Sequence, residues 1–426
     1  MGRFETLLLV DIGNQKTYGV RADVDRTNSH RTSRDLMERT SAWRWNGVSD
    51  PPRLTREQAQ PYHGTAMIVK SEALAAPKNG PNENLLGLTP PELASLAESL
   101  GEKPYRGRQL AEWMYVRGTS DFAAMSSLPA AFRERLREEF TVGTLRERAR
   151  RETPDRRTRK VAFEIDGGGL VESVFMSTPT RFTFCLSSQH GCAFACRFCA
   201  TGRMGRGRHL TKSEIVEQAF RLRAELPRDV REYNVVMMGM GEPLENYDQV
   251  LGALAILSDP EGMAVPPKRI TISTVGLAPQ IVKLADQGHR YRLAVSLHAA
   301  SDEQRSKLMP VNRRFPLDVL MRAVRHHVER TGRRVTFEYI LLEELNDSVP
   351  DASRLVKLVG QIPCKINLIP YNPIGPGRFR RPSPERIERF AEYLRPRVPA
   401  VTVRYSQGVE IGAACGQLAG EAEPAG

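Results

Sequence analysis

Three cysteines, Cys192, Cys196 and Cys199, fall in the run Gly-Cys-Ala-Phe-Ala-Cys-Arg-Phe-Cys-Ala over residues 191–200. A CxxxCxxC spacing delivers three thiolates to one small volume and supplies no fourth. A structural zinc site closes with four ligands, whereas an iron–sulfur cubane held by three thiolates leaves one iron open to a substrate. His190 and His209 flank the triplet, and either would complete a Cys3His zinc site, so spacing alone keeps zinc beside the cluster. Cys185, Cys364 and Cys415 complete the chain's six cysteines. Taken singly, each reads as a small buried packing residue.

Six cysteines in 426 residues, three of them within eight positions, do not form a secreted disulfide framework, and a reducing cytoplasm is the expected compartment. No apolar run is long enough for a spanning helix, and the opening Met-Gly-Arg-Phe-Glu-Thr-Leu-Leu-Leu-Val-Asp is too short for a secretory core. Met1-Gly2 with Thr6 fits a myristoylation pattern that nothing basic or acylable reinforces. The net charge is +12, and residues 1–83 hold twelve Lys/Arg against ten Asp/Glu, so nearly all the excess lies downstream. Such a balance suits a polyanion, nucleic acid first, although solubility alone also accounts for it.

Residues 1–83 lack helical or alternating periodicity and are expected to be disordered, with Trp43 and Trp45 as an unassigned pair and Met67 as an alternative start. A helical, RNA-binding accessory domain is predicted over 84–150. Thr89-Pro90-Pro91-Glu92 caps a first helix carrying Leu93, Leu96 and Leu100; a second follows Pro104 with Leu110, Trp113, Met114 and Val116; a third carries Phe132, Leu136 and Phe140. Lys103, Arg106, Arg108, Arg117, Arg133 and Arg135 give it a basic face. A β-hairpin extension is read over 151–180, turning at Asp166-Gly167-Gly168-Gly169. Over 181–420, strand-like runs at 182–186, 234–238, 269–273, 293–297, 335–341 and 366–369 alternate with amphipathic stretches, and a further run follows at 401–405. Residues 421–426 are read as a disordered tail. The class is α/β, a partial (βα)6 barrel with a small N-terminal helical domain, and such barrels carry chemistry at the C-terminal ends of their strands. The cysteine triplet, Gly239-Met-Gly-Glu-Pro243 and Ser296-Leu297-His298 all fall there.

Together with Lys365-Ile-Asn-Leu-Ile-Pro-Tyr-Asn372-Pro and Gly412-Ala-Ala-Cys415-Gly-Gln-Leu-Ala419, these motifs resemble the RlmN/Cfr family of radical S-adenosylmethionine RNA adenine methyltransferases over about residues 84–420. The resemblance implies a radical SAM barrel and one 4Fe–4S cluster on Cys192, Cys196 and Cys199. It implies two S-adenosylmethionine molecules per turnover and a product of 2-methyladenosine (RlmN type) or 8-methyladenosine (Cfr type). Family frequency favours carbon 2 in 23S ribosomal RNA, at the peptidyl-transferase centre, with the transfer RNA anticodon arm as a second substrate. An electron donor such as flavodoxin or ferredoxin, a cytoplasmic monomer and no membrane complete the expectation.

Carbon 2 of adenine is electrophilic and cannot attack a methyl sulfonium, so the family uses a cysteine relay. By that resemblance Cys415 takes a methyl group from one S-adenosylmethionine, Cys185 resolves the RNA adduct through a transient disulfide with Cys415, and Glu172 is the proton acceptor. Gly241, Glu242, Ser273, Ser296, Leu297, His298 and Asn372 surround the cofactor by the same carry-over, while Cys364 stays structural. Arg206, Gln407 and Gly412 depart from the family pattern without removing a ligand or a relay cysteine. A zinc-bearing RNA-binding module without catalysis, the reading from another class, leaves Cys185 and Cys415 unexplained.

Overall fold

The computed structural model describes residues 83–420 apart from 228, 229, 376 and 378. The expected disordered extension, with Trp43, Trp45 and Met67, lies outside the described residues except for Glu83, and so does the tail 421–426. The helical module begins at the capping box read from the sequence. Thr89 N donates to Glu92 Oε2 at 2.7 Å, the reciprocal bond runs from Glu92 N to Thr89 Oγ1, and helix α1 (Pro90–Ser99) follows. α1 packs against α2 (Pro104–Ala111), which continues through a π turn, Glu112–Val116, and α3 (Ala130–Glu139) closes the module. Leu93, Leu110, Met114, Phe132 and Leu136 are buried as the spacing requires, whereas Val116 is exposed. Of the cations expected to face RNA, Arg106 donates to Ser127 O, Arg133 to Ala123 O, and Arg135 to Leu100 O, while Arg117 pairs with Glu112. The first three brace the module's own backbone, and the fourth forms an exposed ion pair within its own helical segment.

Short apolar and β-branched runs then build a ten-stranded sheet. Its strands are β1 (Arg146–Glu152), β2 (Thr158–Glu164), β3 (Leu170–Thr178), β4 (Arg181–Cys185), β5 (Asn234–Met237), β6 (Ile270–Thr274), β7 (Arg292–Ser296), β8 (Val335–Leu341), β9 (Cys364–Pro370) and β10 (Val401–Val403). They lie side by side in strict chain order. β1 to β4 form an antiparallel meander, and β4 to β10 pair parallel. Each parallel step is bridged by helices: α4 (Ala200–Arg203) and α5 (Lys212–Arg223), α6 (Tyr247–Ser258), α7 (Ala278–Asp286), α8 (Asp302–Leu308) and α9 (Leu317–Thr331), α10 (Val349–Val359), and α11 (Pro384–Leu394). These are the repeated βα units expected of the partial barrel.

Two boundaries differ from the sequence reading. The hairpin is continuous with the barrel sheet, because β3 pairs with β4. The helical stretch also ends early, since residues 146–152 form the edge strand β1. Its sequence, Arg-Glu-Arg-Ala-Arg-Arg-Glu, hides the strand: charge on both faces erases the alternation that marks a half-buried strand, yet suits an unpaired edge. Among the described residues no helix is long and apolar enough to cross a membrane.

The module is tied to the barrel by Glu217 of α5. Its buried carboxylate accepts from Thr144 N at 2.7 Å, Leu145 N at 3.0 Å and Asn84 Nδ2 at 3.2 Å. Gly143 permits this approach, since its φ is +97° and a Cβ there would stand 2.4 Å from Glu217 Oε1. Replacing Glu217 with Ala leaves buried N–H groups unpaired, so unfolding in urea should show a loss of about 1–3 kcal/mol. An unchanged midpoint would remove this carboxylate as the tie.

Candidate active site

The cysteine loop leaves the end of β4 and is held by its own backbone: Cys192 N donates to Gly205 O at 2.7 Å and Cys199 N to Cys196 O at 3.1 Å. A glycine at 207 is required, because a Cβ there would stand 1.7 Å from His190 O. All three thiols open on one cavity at the C-terminal ends of the parallel strands, and Glu242, Ser273, Ser296, Glu338 and Cys415 share its wall. Burial, followed by neighbouring charge, pushes Cys196 well above the usual thiol range. Burial also lifts Cys192 to about 12 and raises Cys199. Thiols so placed ionise when a bound metal centre supplies positive charge.

The donor set fits a cluster better than a single ion. Among the described residues no three His, Cys, Asp or Glu side chains surround one ion's position. His190 and His209, the fourth ligands of the zinc alternative, line a separate small hollow that shares only Cys192 with the main cavity. His190 Nδ1 meets Leu170 O and His209 Nδ1 meets Gln189 Nε2, both at 2.9 Å.

Behind the cavity wall stands a residue that the sequence reading missed. Arg305 of α8 is wholly buried, and its guanidinium donates to Val275 O at 2.7 Å, Ser296 O at 3.0 Å, Leu297 O at 3.1 Å and Asn312 Oδ1 at 2.9 Å. Burial lowers its pKa to about 10, which leaves it charged. The same helix meets the cysteine loop where Arg197 N donates to Leu308 O at 3.0 Å. In sequence Arg305 sits in a polar run that reads as a solvated helix; its place three residues before the buried Leu308 is the available signal.

Most of the residues assigned to the cofactor converge. Gly241, Glu242, Ser273, Ser296 and His298 line the cavity, while Leu297 is buried beside it. Glu242 accepts from Leu244 N at 3.0 Å and Val275 N at 2.7 Å, and burial lifts it to about 7. His298 has φ +57°, in the left-handed region, and its Nδ1 accepts from Ile340 N at 3.0 Å, so the neutral ring carries its proton on Nε2. Burial, then Arg305, lowers its pKa to about 3, and Phe198 packs edge-on at 4.7 Å. Asn372 is off the cavity wall: its Nδ2 donates to Cys415 O at 3.2 Å and Ser406 Oγ at 2.9 Å, and it acts on the segment that carries Cys415.

That C-terminal segment is pinned from three sides. Ala200 N donates to Gly416 O at 2.7 Å, Thr201 Oγ1 donates to Leu418 O at 2.6 Å, and Glu172 Oε2 accepts from Ala419 N at 2.8 Å and Gly420 N at 3.2 Å. Glu172 Oε1 stands 2.8 Å from Lys160 Nζ in a buried ion pair, so the expected proton acceptor is here an anchor, off the cavity wall. Cys185, the last residue of β4, is buried, and its thiol is raised by burial and then by Cys415. Both are free thiols. Glu338 and Arg404 also line the cavity and were not expected; a lone carboxylate in the apolar strand β8 was the legible sign of the first.

A family model for the Radical SAM superfamily matches residues 186–356, and one for the ribosomal RNA large subunit methyltransferase N-terminal domain matches residues 83–142. The probable dual-specificity RNA methyltransferase RlmN of Symbiobacterium thermophilum is 44% identical over 80% of this chain and 92% of its own length. The corresponding protein of Moorella thermoacetica is 45% identical over 79% of this chain and 96% of its own length. A crystal structure of a radical SAM methyltransferase from Sphaerobacter thermophilus superposes with a TM-score of 0.76 at 44% identity, covering 79% of this chain and 99% of that one.

The buried His298 carries a pH consequence. The unfolded chain takes up this proton near the ordinary value of 6.5, and the folded chain resists it until about 3. Its contribution to stability is therefore full above pH 6.5 and drains as pH falls toward 3. In the absence of S-adenosylmethionine, His298→Asn should flatten that acid limb in thermal unfolding; an identical limb in both proteins would refute a buried neutral ring.

Proposed function

The chain belongs to the RlmN family of radical S-adenosylmethionine RNA methyltransferases, and from that membership we propose that it methylates carbon 2 of adenosine in 23S ribosomal RNA at the peptidyl-transferase centre. Adenosine in the transfer RNA anticodon arm is the second substrate. The observation that carries this reading is Cys415 on the wall of the cavity shared by Cys192, Cys196 and Cys199.

In this reading Cys192, Cys196 and Cys199 hold one 4Fe–4S cluster, and Gly241, Glu242, Ser273, Ser296 and His298 face S-adenosylmethionine, two molecules of which serve each turnover. When bound, cluster and cofactor supply a 5′-deoxyadenosyl radical, fed by an acidic electron carrier such as flavodoxin or ferredoxin. The chain's own residues do the rest. Cys415, as thiolate, accepts a methyl group and presents it to the base. The Nε2–H of His298 is a fixed donor at the cavity. Cys185, sequestered at the end of β4, waits until the RNA is tethered and then attacks the Cys415 sulfur; the S–S bond forms as the bond from that sulfur to the methylene carbon breaks, and the electron pair left on carbon takes up the proton that completes the methyl group. Glu172 accepts the carbon-2 proton, and with Ala419 and Gly420 on its carboxylate it does so only after the C-terminal segment shifts. The protein works as a monomer.

Cys415→Ala should keep iron and sulfide at wild-type stoichiometry yet form no RNA adduct, whereas Cys185→Ala should stall as a covalent protein–RNA species on a denaturing gel. The double variant should behave as Cys415→Ala alone, because the steps are obligatory and their effects are not additive. Adduct with Cys415→Ala and none with Cys185→Ala would reverse the roles. Mass spectrometry of nucleosides from reacted RNA should give 2-methyladenosine; 8-methyladenosine would move the chain to the Cfr type.

A further inference from the structure

Methyl transfer to Cys415 cannot begin until its thiol proton leaves, because the thiolate is the nucleophile. Glu172, the acid-base residue already assigned, is committed to Lys160 and to the C-terminal backbone. Of the two carboxylates on the cavity wall, Glu242 has both oxygens engaged by backbone N–H groups. Glu338 does not. Its side chain is buried, its Oε1 accepts from Asn367 Nδ2 at 2.9 Å, and its Oε2 has no partner among the described residues. β8 places it on the cavity wall two residues before Ile340, and register sets it opposite Asn367 on β9. Arg404, immediately past β10, brings a guanidinium to the same wall.

We propose that Glu338 is the base that accepts the Cys415 thiol proton before methyl transfer, with Arg404 steadying the thiolate; this rests on the reading of Cys415 as the methyl carrier. Asn367 occupies Oε1 and leaves Oε2 to take the proton. The S–H bonding pair stays on sulfur and forms the S–CH3 bond, while the pair of the breaking sulfonium bond leaves with S-adenosylhomocysteine. Nothing is oxidised or reduced. The charged and titratable groups felt at the Cys415 sulfur are Arg404, Glu338 and Cys199, with Cys185 coupled to it in turn. Those felt at Glu338 are Arg404 and Lys365. Burial raises the carboxylate, which makes Glu338 a stronger base than an exposed glutamate, and it raises the Cys415 thiol, which gives that thiol need of one.

The test mixes cluster-loaded full-length protein with S-adenosylmethionine, without reductant, and follows methyl on the Cys415 peptide by mass spectrometry across pH. Glu338→Gln should slow methylation about a hundredfold near neutrality and recover as pH rises, with iron, sulfide and S-adenosylmethionine affinity unchanged. Glu338→Asp should regain part of the rate. Asn367→Ala, with Glu338 intact, should move the rising limb of the profile to higher pH, because the ionised carboxylate loses a hydrogen bond. A wild-type rate and profile in Glu338→Gln overturns the proposal, and so does an unmoved limb in Asn367→Ala, which decides the matter should the Gln variant lose its cluster. Weakened cofactor binding with an unchanged saturating rate also overturns it, by placing Glu338 on S-adenosylmethionine. If the wild-type protein itself gains no methyl on Cys415, the reading of that cysteine fails first.

Discussion

A guanidinium cut off from water must find acceptors inside the protein, and Arg305 finds them on the carbonyls of Val275, Ser296 and Leu297. Those carbonyls belong to the turns that end β6 and β7, so one side chain sets the spacing of two strand ends. Breaking such an arrangement strands a buried charge, which costs far more than the loss of ordinary hydrogen bonds. The strained His298, the backbone that grips Glu242 and the seat of the cysteine loop on α8 all depend on that spacing. The same positive charge favours the ionised form of Cys196, so the clamp that shapes the cavity also bears on its chemistry.

The second constraint acts over a greater sequence distance. Glu172 and Ala419 are 247 positions apart, yet one carboxylate holds the backbone of the C-terminal segment. Ala200 and Thr201, immediately after Cys199, hold the same segment from the other side. Cys415 is therefore positioned by the loop that carries the cysteine triplet and by the hairpin strand β3. Replacing that hairpin would disturb Cys415 through the backbone of Ala419 and Gly420.

What could be read from the sequence was local. The cysteine spacing, the capping box at Thr89 and the parallel strands declare themselves within a few residues, because they rest on periodicity and turn chemistry. The misses were non-local or disguised. β1 carries charge on both faces, Arg305 lies in a helix that looks solvated, and three arginines of the helical module spend their donors on backbone carbonyls that the sequence does not place nearby. Glu172 was legible as a residue that matters, but its engagement with Ala419 and Gly420 was not, since a resemblance transmits a role without the conformation in which it is exercised.

Strands laid down in chain order have a consequence for the nascent protein. Each new βα unit docks on the one already emerged, so assembly on the ribosome can proceed by neighbour addition without waiting for distant partners. The triplet Cys192, Cys196 and Cys199 leaves the exit tunnel well before Cys415, which lies 216 residues after Cys199. A chain interrupted between them thus keeps the cysteine triplet while lacking the fourth thiol of the same cavity wall, so the cavity's sulfur set is completed only when the segment around Cys415 has been made.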